Sequence, residues 1–439
     1  MKIELDETHD PKRTSWVATA QGHRDFPLQN LPLGIFSIDG DAPRGGIAIG
    51  DSIFDLKAAL GAGLFSGAAE TAAAAASGAT LNPLLALGEE PRRALRRRVF
   101  ALLAAEGADN VVAQKIVSTL LHEAARCVLH VPSRIGAYTD FYAGIHHATN
   151  GGLRRNANPP LAANYKYVPV AYHSRASSVR ASGFPVRRPH GQTDVVPNQP
   201  AFGLTRKLDF ELELGMWIGS GNALGEPVPI GRSGEQLAGL CLLNDWSARD
   251  IQRWESAPLG PFLAKNFCTT VSPWIITTEA LLPFRIAQAA RPEGDPRPLD
   301  YLWDDEDQKH GAFDIELEAL ILTPSMRTKK MPAQRISLTN TRHLYWTLAQ
   351  LVAHHTCGGC NLEPGDLFGS GTISAPDTSG YGSFAELSFD GRQPLTLASG
   401  EQRAFLEDGD ELVLRAQARR EGFAAIGFGD CRGTIVASL

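Results

Sequence analysis

The hydrophobic pattern of the chain changes near Pro132, and the change predicts two parts of different secondary structure. Before this point, an opening rich in Pro and Gly leads into an Ala-rich stretch, and from Ala101 to Leu121 apolar residues recur at helical spacing. After it, short runs of Val, Ile, Leu and aromatic residues alternate with Gly, Pro, Asn and Asp, which is typical of short strands joined by loops. We therefore expect an α+β, β-rich protein with domains at 1–132 and 133–439.

One segment of the second part, 291–311, combines prolines with a run of acidic residues. Pro292, Pro296 and Pro298 come first, and Asp304–Asp307 follows. Such a composition favours solvated chain over packed structure. We expect a long solvated loop here, inside the domain and not at a boundary.

Length and charge narrow the class of protein. The 439 residues exceed what one ordinary core needs, and 43% hydrophobic with 21% charged residues matches folded globular proteins. The net charge of -6 speaks against nucleic acid, because such surfaces neutralise phosphates with clustered Lys and Arg. The densest basic cluster lies beside two glutamates at helical spacing, and we expect a solvated helix face made of Arg92, Arg93, Arg96, Arg97 and Arg98.

The sequence predicts neither export nor a membrane span. The opening residues are charged from Lys2 onward and lack the apolar core of a secretory signal, and Ser66, Glu70 and Ser77 interrupt the Ala-rich stretch at 58–87. Six cysteines in so long a chain do not predict a disulfide framework, which fits a reducing cytoplasm. We interpret the 357–360 Cys-Gly-Gly-Cys string as a loop.

The clearest alternation of polar and apolar residues lies in 207–219. As a strand, its first half places apolar side chains on one face and the carboxylates of Asp209, Glu211 and Glu213 on the other. Such a row is either a water-facing surface or a cation site. Alternation alone favours the surface, because half-buried strands with polar outer faces are common.

A second segment, 243–255, has the pattern of a strand end followed by a helix. Asp245, Arg249 and Gln252 are spaced at i, i+4 and i+7, so one helical face would present a carboxylate, a guanidinium and an amide. In the alternative, Asp245 only caps the helix and Arg249 forms an exposed ion pair. The segment alone leaves both interpretations open.

A third segment, 137–150, adds Asp140, two tyrosines and two histidines, of which either could be structural. If Asp140 gathered with Glu211, Glu213 and Asp245 in a low-dielectric site, the four carboxylates would repel one another. Their convergence would therefore require a hard cation with oxygen ligands. Calcium and magnesium fit, whereas zinc does not, because none of the four is His or Cys.

These segments resemble the fumarylacetoacetate hydrolase family. The similarity runs from about Pro27 to Val436, and its motifs keep the family's order. Several distinct strings in one order make the resemblance specific. The strings are Tyr138–Tyr142, His147–Asn150, Tyr172–Ser178, Glu211–Glu213, Asn244–Gln252, Pro258–Leu263, Gly371–Ser374 and Asp408–Asp410.

The resemblance implies a small SH3-like N-terminal barrel, a C-terminal mixed β-sandwich roll and a homodimer. It also implies a Ca²⁺ or Mg²⁺ site whose ligands are Asp140, Glu211, Glu213 and Asp245. These are the carboxylates that the residue patterns had grouped. Lys265 and Thr269 match positions close to a second, magnesium-like ion.

The resemblance further implies a general base, His147, oriented by Glu386. A histidine suits this role because its ordinary pKa lies near neutrality, so it can accept a proton from water and return it. Arg249, Gln252 and Lys265 match cationic and amide donors that would hold a developing oxyanion and enolate.

Several positions match residues that bind the substrate in the family, namely Tyr142, Arg155, Tyr172, Gln252, Ser256 and Thr372. Two of them depart from the family pattern. Ser256 stands where the family has a tyrosine, and Arg155 matches only if the alignment slips by one residue. These departures leave the exact substrate open.

The activity implied by the resemblance is hydrolysis of a small dianionic diketone, 4-fumarylacetoacetate, to fumarate and acetoacetate, the last step of tyrosine and phenylalanine catabolism. A second hypothesis is hydrolysis of another acylpyruvate or acylacetoacetate, which Ser256 would permit. A third is a non-catalytic, metal-binding dimer. The presence of the base, its carboxylate and the cationic donors opposes the third hypothesis.

Overall fold

The computed structural model describes residues 4–38, 40–106, 110–196 and 199–438. Within these ranges the α-helices are α1 Leu56–Gly61, α2 Gly67–Ala75, α3 Asn82–Ala86, α4 Glu89–Leu103, α5 Asn110–Ser118, α6 Ile145–Arg154, α7 Ile230–Ser233, α8 Arg249–Glu255, α9 Asp305–His310, α10 Pro324–Thr328, α11 Leu348–Thr356 and α12 Phe384–Leu387.

The strands of the same ranges are β1 Leu33–Ile38, β2 Arg44–Ile49, β3 Ser52–Asp55, β4 Leu121–Glu123, β5 Cys127–His130, β6 Tyr138–Phe141, β7 Ala171–His173, β8 Val179–Ala181, β9 Val186–Arg187, β10 His190–Val196, β11 Gln199–Leu204, β12 Leu208–Asp209, β13 Leu212–Ile218, β14 Leu237–Asp245, β15 Ser247–Ala248, β16 Thr269–Val271, β17 Trp274–Thr277, β18 Arg285–Ile286, β19 Ala312–Phe313, β20 Ile315–Leu322, β21 Gln334–Asn340, β22 Leu367–Gly369, β23 Leu395–Thr396, β24 Gln402–Arg403, β25 Glu411–Ala418, β26 Ile426–Gly427 and β27 Cys431–Val436.

The largest sheet runs in the order β4-β3-β2-β1-β17-β14-β13-β22-β6-β7. Its central strands β13 and β14 are antiparallel and buried along their whole length, as expected of strands covered on both faces. Strand β22 pairs antiparallel with β13 and parallel with β6, so the sheet is mixed. This arrangement places β6, β13 and β14, which carry three of the four predicted metal ligands, in one region of the sheet.

The first part of the chain contributes β1 to β5, which are joined by antiparallel pairing. Strand β1 also pairs with β17 through Leu33 with Ile275 and Gly34 with Trp274, so this sheet continues into the second part of the chain. A second large sheet has the order β21-β20-β25-β27-β9. The predicted α+β, strand-rich architecture is therefore confirmed, while the SH3-like barrel stays a prediction.

The basic cluster on α4 is not the solvated face that its spacing suggested. Arg92 and Arg96 are buried, at 4% and 6% exposure. Arg92 Nη2 lies 2.9 Å from Glu279 Oε1, and Arg96 donates to the carbonyl oxygens of Gln29 and Asn30. The prediction was wrong for these two residues because they share, at i and i+4, the face of α4 that packs inward.

The acidic run at 304–307 is also not part of a solvated loop. It begins α9, and the Asp304 carboxylate accepts a hydrogen bond from the Asp307 amide as the helix N-cap. Carboxylates are favoured at a helix N-terminus because the backbone N–H groups there have no other partner. The irregular stretch is therefore shorter than we predicted.

None of the helices in the part of the chain that the structure describes is both long and apolar enough to cross a bilayer. Cys357 and Cys360 are exposed and lie in the turn that follows α11, in agreement with the predicted loop.

Candidate active site and metal centre

Three buried carboxylates from separate segments meet in one place. One oxygen each of Asp140, Glu211 and Glu213 lies within 4.8 Å of the other two. Asp140 lies on β6, Glu213 lies on β13, and Glu211 directly precedes β13. All three are at most 6% exposed, so the water-facing surface that alternation favoured is wrong. Like charges this close, away from water, are unfavourable unless a cation or a proton neutralises them.

The alternating segment is not one continuous strand. Strand β12 ends at Asp209 and β13 begins at Leu212, because the Glu211 amide donates to Asn244 Oδ1 instead of joining the ladder. The break separates the predicted row of carboxylates. Glu211 and Glu213 turn to the shared site, whereas Asp209 contacts Arg249 and the backbone at the start of α12.

Asp245 reaches the same region from the last position of β14. Helix α8 begins at Arg249 and its N-cap is Ala248, so Asp245 neither lies on the helical face nor caps the helix, and both interpretations of its position were wrong. The hydroxyl of Tyr172 lies 2.8 Å from Asp140 Oδ2 and 2.7 Å from Asp245 Oδ2. Thr269 Oγ1 lies 3.2 Å from Asp245 Oδ1.

Two basic side chains contact these carboxylates. Lys265 Nζ donates to Glu211 Oε2 and, at 2.6 Å, to Asp245 Oδ2, while Arg249 Nη1 lies 2.7 Å from Glu211 Oε1. Burial by itself would raise the pKa of Glu211 and lower the pKa values of Lys265 and Arg249, because it disfavours the charged form of each group. The ion pairs nevertheless hold the pKa of Glu211 well below its usual range and raise the pKa values of Lys265 and Arg249. Glu211 is therefore ionised and both bases carry a positive charge.

Asp140 and Glu213 form no ion pair with a described residue, and the attraction of the nearby Lys265 does not offset their burial. Burial, followed by the neighbouring carboxylates, raises the pKa of each well above its usual range. Among the described residues, Asp140 Oδ1 and Glu213 Oε1 are buried oxygens without a hydrogen-bond partner. Buried carboxyl oxygens without a partner, in a cluster of three acids, are suited to a hard divalent cation, so the residues fit a metal ion.

Gly369 on β22 makes this approach of the carboxylates possible. It pairs with Asp140 in the parallel ladder, and a β-carbon at Gly369 would lie 2.4 Å from Asp140 Oδ1 and 3.0 Å from Glu213 Oε2. Any larger residue would push the carboxylates away. Sequence reasoning missed Gly369, although it lies two residues before the Gly371–Ser374 string.

A histidine and a carboxylate lie beside the cluster. His147 on α6 has Nδ1 at 2.6 Å from Glu386 Oε2 on α12, and Nε2 at 3.8 Å from Glu211 Oε1. Burial by itself would raise the pKa of Glu386, but His147 and hydrogen bonds, including one from Asn150, lower it to about 2. Because an ionised Glu386 can only accept a hydrogen bond, Nδ1 of His147 is the donor, and Nε2 lies on the side of the cluster.

The choice between the two histidines follows from their surroundings. His147 is 3% exposed. His146 is only half-buried, and its ring packs edge-to-face against His343 at a centroid distance of 5.7 Å. Of these two histidines, only His147 has described contacts with both Glu386 and a carboxylate of the cluster, Glu211.

Several predicted substrate residues lie close to this pair. The Tyr142 ring packs edge-to-face on His147 at 5.5 Å. A β-carbon at Gly151 would lie 3.0 Å from Tyr142 Oη and 3.4 Å from Arg155 Nη1, so the phenol and the guanidinium are neighbours. The Thr372 hydroxyl is buried and has no hydrogen-bond partner among the described residues.

The remaining two substrate residues lie on or just after α8. Gln252 Oε1 accepts a hydrogen bond from Arg249 Nη1 at 3.1 Å, which joins the two predicted donors. The hydroxyl of Ser256 donates to the Gln252 carbonyl oxygen at 2.5 Å. That hydroxyl is therefore engaged by the end of its own helix.

Other residues at the site were not predicted. Glu386 accepts hydrogen bonds from Asn150, Ser374 and Ser383, and Asp209 contacts Arg249. A sequence signal existed for Ser383, because Ser-x-x-Glu is the pattern of a capping box and Ser383 is the N-cap of α12. Asn150 lies one turn after His147 on α6, so helical spacing could have indicated it.

These features define a class of strand-rich protein in which buried carboxylates that could hold a cation lie beside a histidine–carboxylate pair. Residues 29–132 match the family model described as fumarylacetoacetase N-terminal, and residues 136–436 match that described as fumarylacetoacetate (FAA) hydrolase C-terminal. The chain belongs to the fumarylacetoacetate hydrolase family.

Curated relatives cover almost the whole chain. A human fumarylacetoacetase is 42% identical over 94% of this chain and 97% of its own length. A fumarylacetoacetase from Dictyostelium discoideum is 43% identical over 94% of this chain and 95% of its own length. Among solved structures, a fumarylacetoacetate hydrolase from Exiguobacterium antarcticum aligns over 93% of this chain and 99% of its own, with 15% identity and a TM-score of 0.49.

Proposed function

We propose that this chain hydrolyses 4-fumarylacetoacetate to fumarate and acetoacetate, the last step of tyrosine and phenylalanine breakdown. The chain is a hydrolase that acts on a carbon-carbon bond of a ketone, as its relatives named fumarylacetoacetase indicate. The observation that carries the mechanism is the His147–Glu386 pair. Nδ1 of His147 contacts Glu386, and Nε2 of the same ring is directed to the carboxylate cluster.

The proposed chemistry begins with a water molecule near His147 Nε2. The imidazole takes a proton from the water while the water oxygen bonds to the ketone carbon. The electron pair of the carbonyl double bond moves onto the carbonyl oxygen. Glu386 stabilises the resulting imidazolium, the role that a carboxylate has in a catalytic triad. General-base assistance of this kind contributes about 10²- to 10⁴-fold to a rate.

Collapse of the tetrahedral oxyanion then breaks the carbon-carbon bond. The bonding electrons leave with the acetoacetate fragment as an enolate. The imidazolium then gives its proton to the carbon of this fragment whose bond was broken. Arg249 and Lys265 remain charged, as their raised pKa values indicate, and they can neutralise the oxyanion and the enolate. Gln252, held by Arg249, adds an amide beside them.

We propose that Asp140, Glu211, Glu213 and Asp245 hold Ca²⁺ or Mg²⁺, which when bound would polarise the diketone oxygens. All four acids are buried and offer oxygen ligands only, and that supports a hard cation. A second ion close to Lys265 and Thr269 stays a prediction. It is supported by the Thr269 hydroxyl, which lies beside Asp245.

Five further proposals concern the whole molecule. The division into domains at 132 and 133 is supported by separate family models that end at 132 and begin at 136. The SH3-like barrel and the β-sandwich roll rest on the resemblance, as does the homodimer. A cytoplasmic location is supported by the thiols of Cys241, Cys268, Cys357, Cys360 and Cys431, which are free.

The experiment is an assay of fumarylacetoacetate loss, followed by its enol absorbance, with metal added and with metal chelated. His147→Ala should abolish turnover while metal binding survives. His146→Ala is the matched control, because His146 contacts His343 and not Glu386, and it should retain activity. Full activity of His147→Ala, or equal losses in both variants, would refute the mechanism.

A second candidate is hydrolysis of a different acylpyruvate or acylacetoacetate. It is favoured by Ser256, whose short side chain donates to the Gln252 carbonyl. A panel of diketones with different acyl groups separates the two candidates by kcat/KM. A chain that binds metal but hydrolyses none of them would be the non-catalytic dimer.

A further inference from the structure

Asp209 is a fully buried carboxylate that the proposed chemistry does not use. Its exposure is 0%, and its two oxygens accept hydrogen bonds from the Phe210, Phe384 and Ala385 amides and from Arg249 Nε. A carboxylate that takes four donors is saturated and has no oxygen left for a metal ion. Asp209 therefore acts through the groups it holds.

One side of Asp209 holds the helix that carries Glu386. The amides of Phe384 and Ala385, at 2.6 and 3.0 Å, are the first two of α12. A helix of four residues has too few internal hydrogen bonds to be stable by itself, so its position depends on what binds its ends. Asp209 and the Ser383 cap provide this attachment at the N-terminus.

The other side of Asp209 holds Arg249, whose Nε lies 2.8 Å from Oδ2. The same guanidinium donates through Nη1 to Glu211 at 2.7 Å. Glu211 in turn lies 3.8 Å from His147 Nε2, and His147 contacts Glu386. The contacts close a ring, and Asp209 is the point at which the Arg249 branch and the Glu386 branch meet.

We propose that Asp209 is a positioning residue that sets the Glu386 helix and Arg249 relative to each other. The kinetic part of this inference rests on the proposed function, whereas its geometric part does not. Displacement of α12 would move Glu386 away from His147 Nδ1. Displacement of Arg249 would move its guanidinium away from Glu211.

The test is Asp209→Asn, which keeps the volume but replaces one acceptor oxygen with an amide that faces N–H donors. We expect kcat to fall about 10- to 100-fold, the usual effect of losing a partner that orients a functional residue, with KM changed less than about threefold. The downfield proton resonance of His147 Nδ1–H, identified by its loss in His147→Ala, should shift or disappear. This resonance reports geometry without any turnover.

Asp410→Asn is the matched control. Asp410 is also 0% exposed and also holds an arginine and a backbone amide, those of Arg403 and Glu407, but its described partners do not contact the site. We expect Asp410→Asn to lower thermal stability and to leave kcat and the His147 resonance unchanged. A purely structural role of Asp209 predicts the same pattern for both variants.

A double-mutant cycle gives the sharper result. The loss in log kcat caused by Asp209→Asn is measured in the natural protein and in Glu386→Gln. If Asp209 acts through Glu386, the loss in Glu386→Gln should be less than half of the loss in the natural protein. Additive losses, or an unchanged His147 resonance, would overturn the inference. Absence of turnover in the natural enzyme would refute the proposed function instead, and the resonance would still decide the positioning role.

A second variant serves if Asp209→Asn does not fold. Ala385→Pro removes one amide donor to Asp209 and keeps the carboxylate, and proline is tolerated in the first turn of a helix. A weaker loss of kcat with a shifted His147 resonance is expected. An unchanged resonance in this variant would count against the inference.

Discussion

Gly369→Ala is the most direct test of the carboxylate geometry. A carbon and an oxygen that are not bonded stay about 3.3 Å or more apart. The new methyl carbon would lie 2.4 Å from Asp140 Oδ1, so this oxygen must move by about 0.9 Å. Metal-ligand distances tolerate deviations of only about 0.2 Å. We therefore expect Ca²⁺ and Mg²⁺ affinity to fall about 10- to 100-fold, or about 1.4 to 2.7 kcal/mol.

Titration calorimetry on metal-free protein measures this loss directly. Gly203→Ala on β11 is the matched control, because a β-carbon there meets nothing within 4 Å, and its metal affinity should not change. Neither glycine has a positive φ, so backbone strain does not complicate the comparison. Equal affinity of Gly369→Ala and the natural protein would refute our account of how the carboxylates approach.

Three further predictions concern other contacts. Glu386→Gln should lower kcat by about 100-fold or more, because an amide cannot stabilise the His147 imidazolium, and steady-state kinetics at saturating metal would contradict this if kcat were unchanged. Arg92→Met should cost about 3 to 5 kcal/mol in urea unfolding because it leaves Glu279 buried and unpaired, and Arg92→Met/Glu279→Leu should recover most of the loss. Burial lowers the pKa of His355 from 6.5 to about 4, so its contribution to stability is present above pH 6.5 and is lost as the pH falls toward 4. We expect about 1 to 2 kcal/mol from this residue after allowing for solvent screening, and His355→Gln should flatten the pH dependence of urea unfolding by that amount.

The chemistry of the site could be predicted further than its geometry. Residue spacing grouped Glu211 with Glu213, and the resemblance added His147, which begins one of the shared strings, and Glu386. The break between β12 and β13 could not be predicted. It depends on Asn244, which is distant in the chain and replaces the expected ladder partner of the Glu211 amide.

Burial was the harder property to predict. Arg92 and Arg96 have the spacing of a solvated face, but α4 also buries Leu95 and Val99. The partners of the two arginines, Glu279 and the carbonyls near Gln29, lie far away in sequence and could not be predicted. The strand of Asp209 looked half-exposed because its pattern alternates. Its polar face is covered by α12 and α8, and a pattern confined to one strand carries no information about what covers it.

The pairing of β1 with β17, together with the Arg92–Glu279 contact, ties the beginning of the chain to the strand beside β14. A substitution that breaks one of these contacts in the first hundred residues would therefore loosen the support of a distant segment without touching a reacting atom. Such a variant would retain normal turnover per folded molecule but would accumulate to a lower level in the cell, because marginally folded chains are removed by proteases.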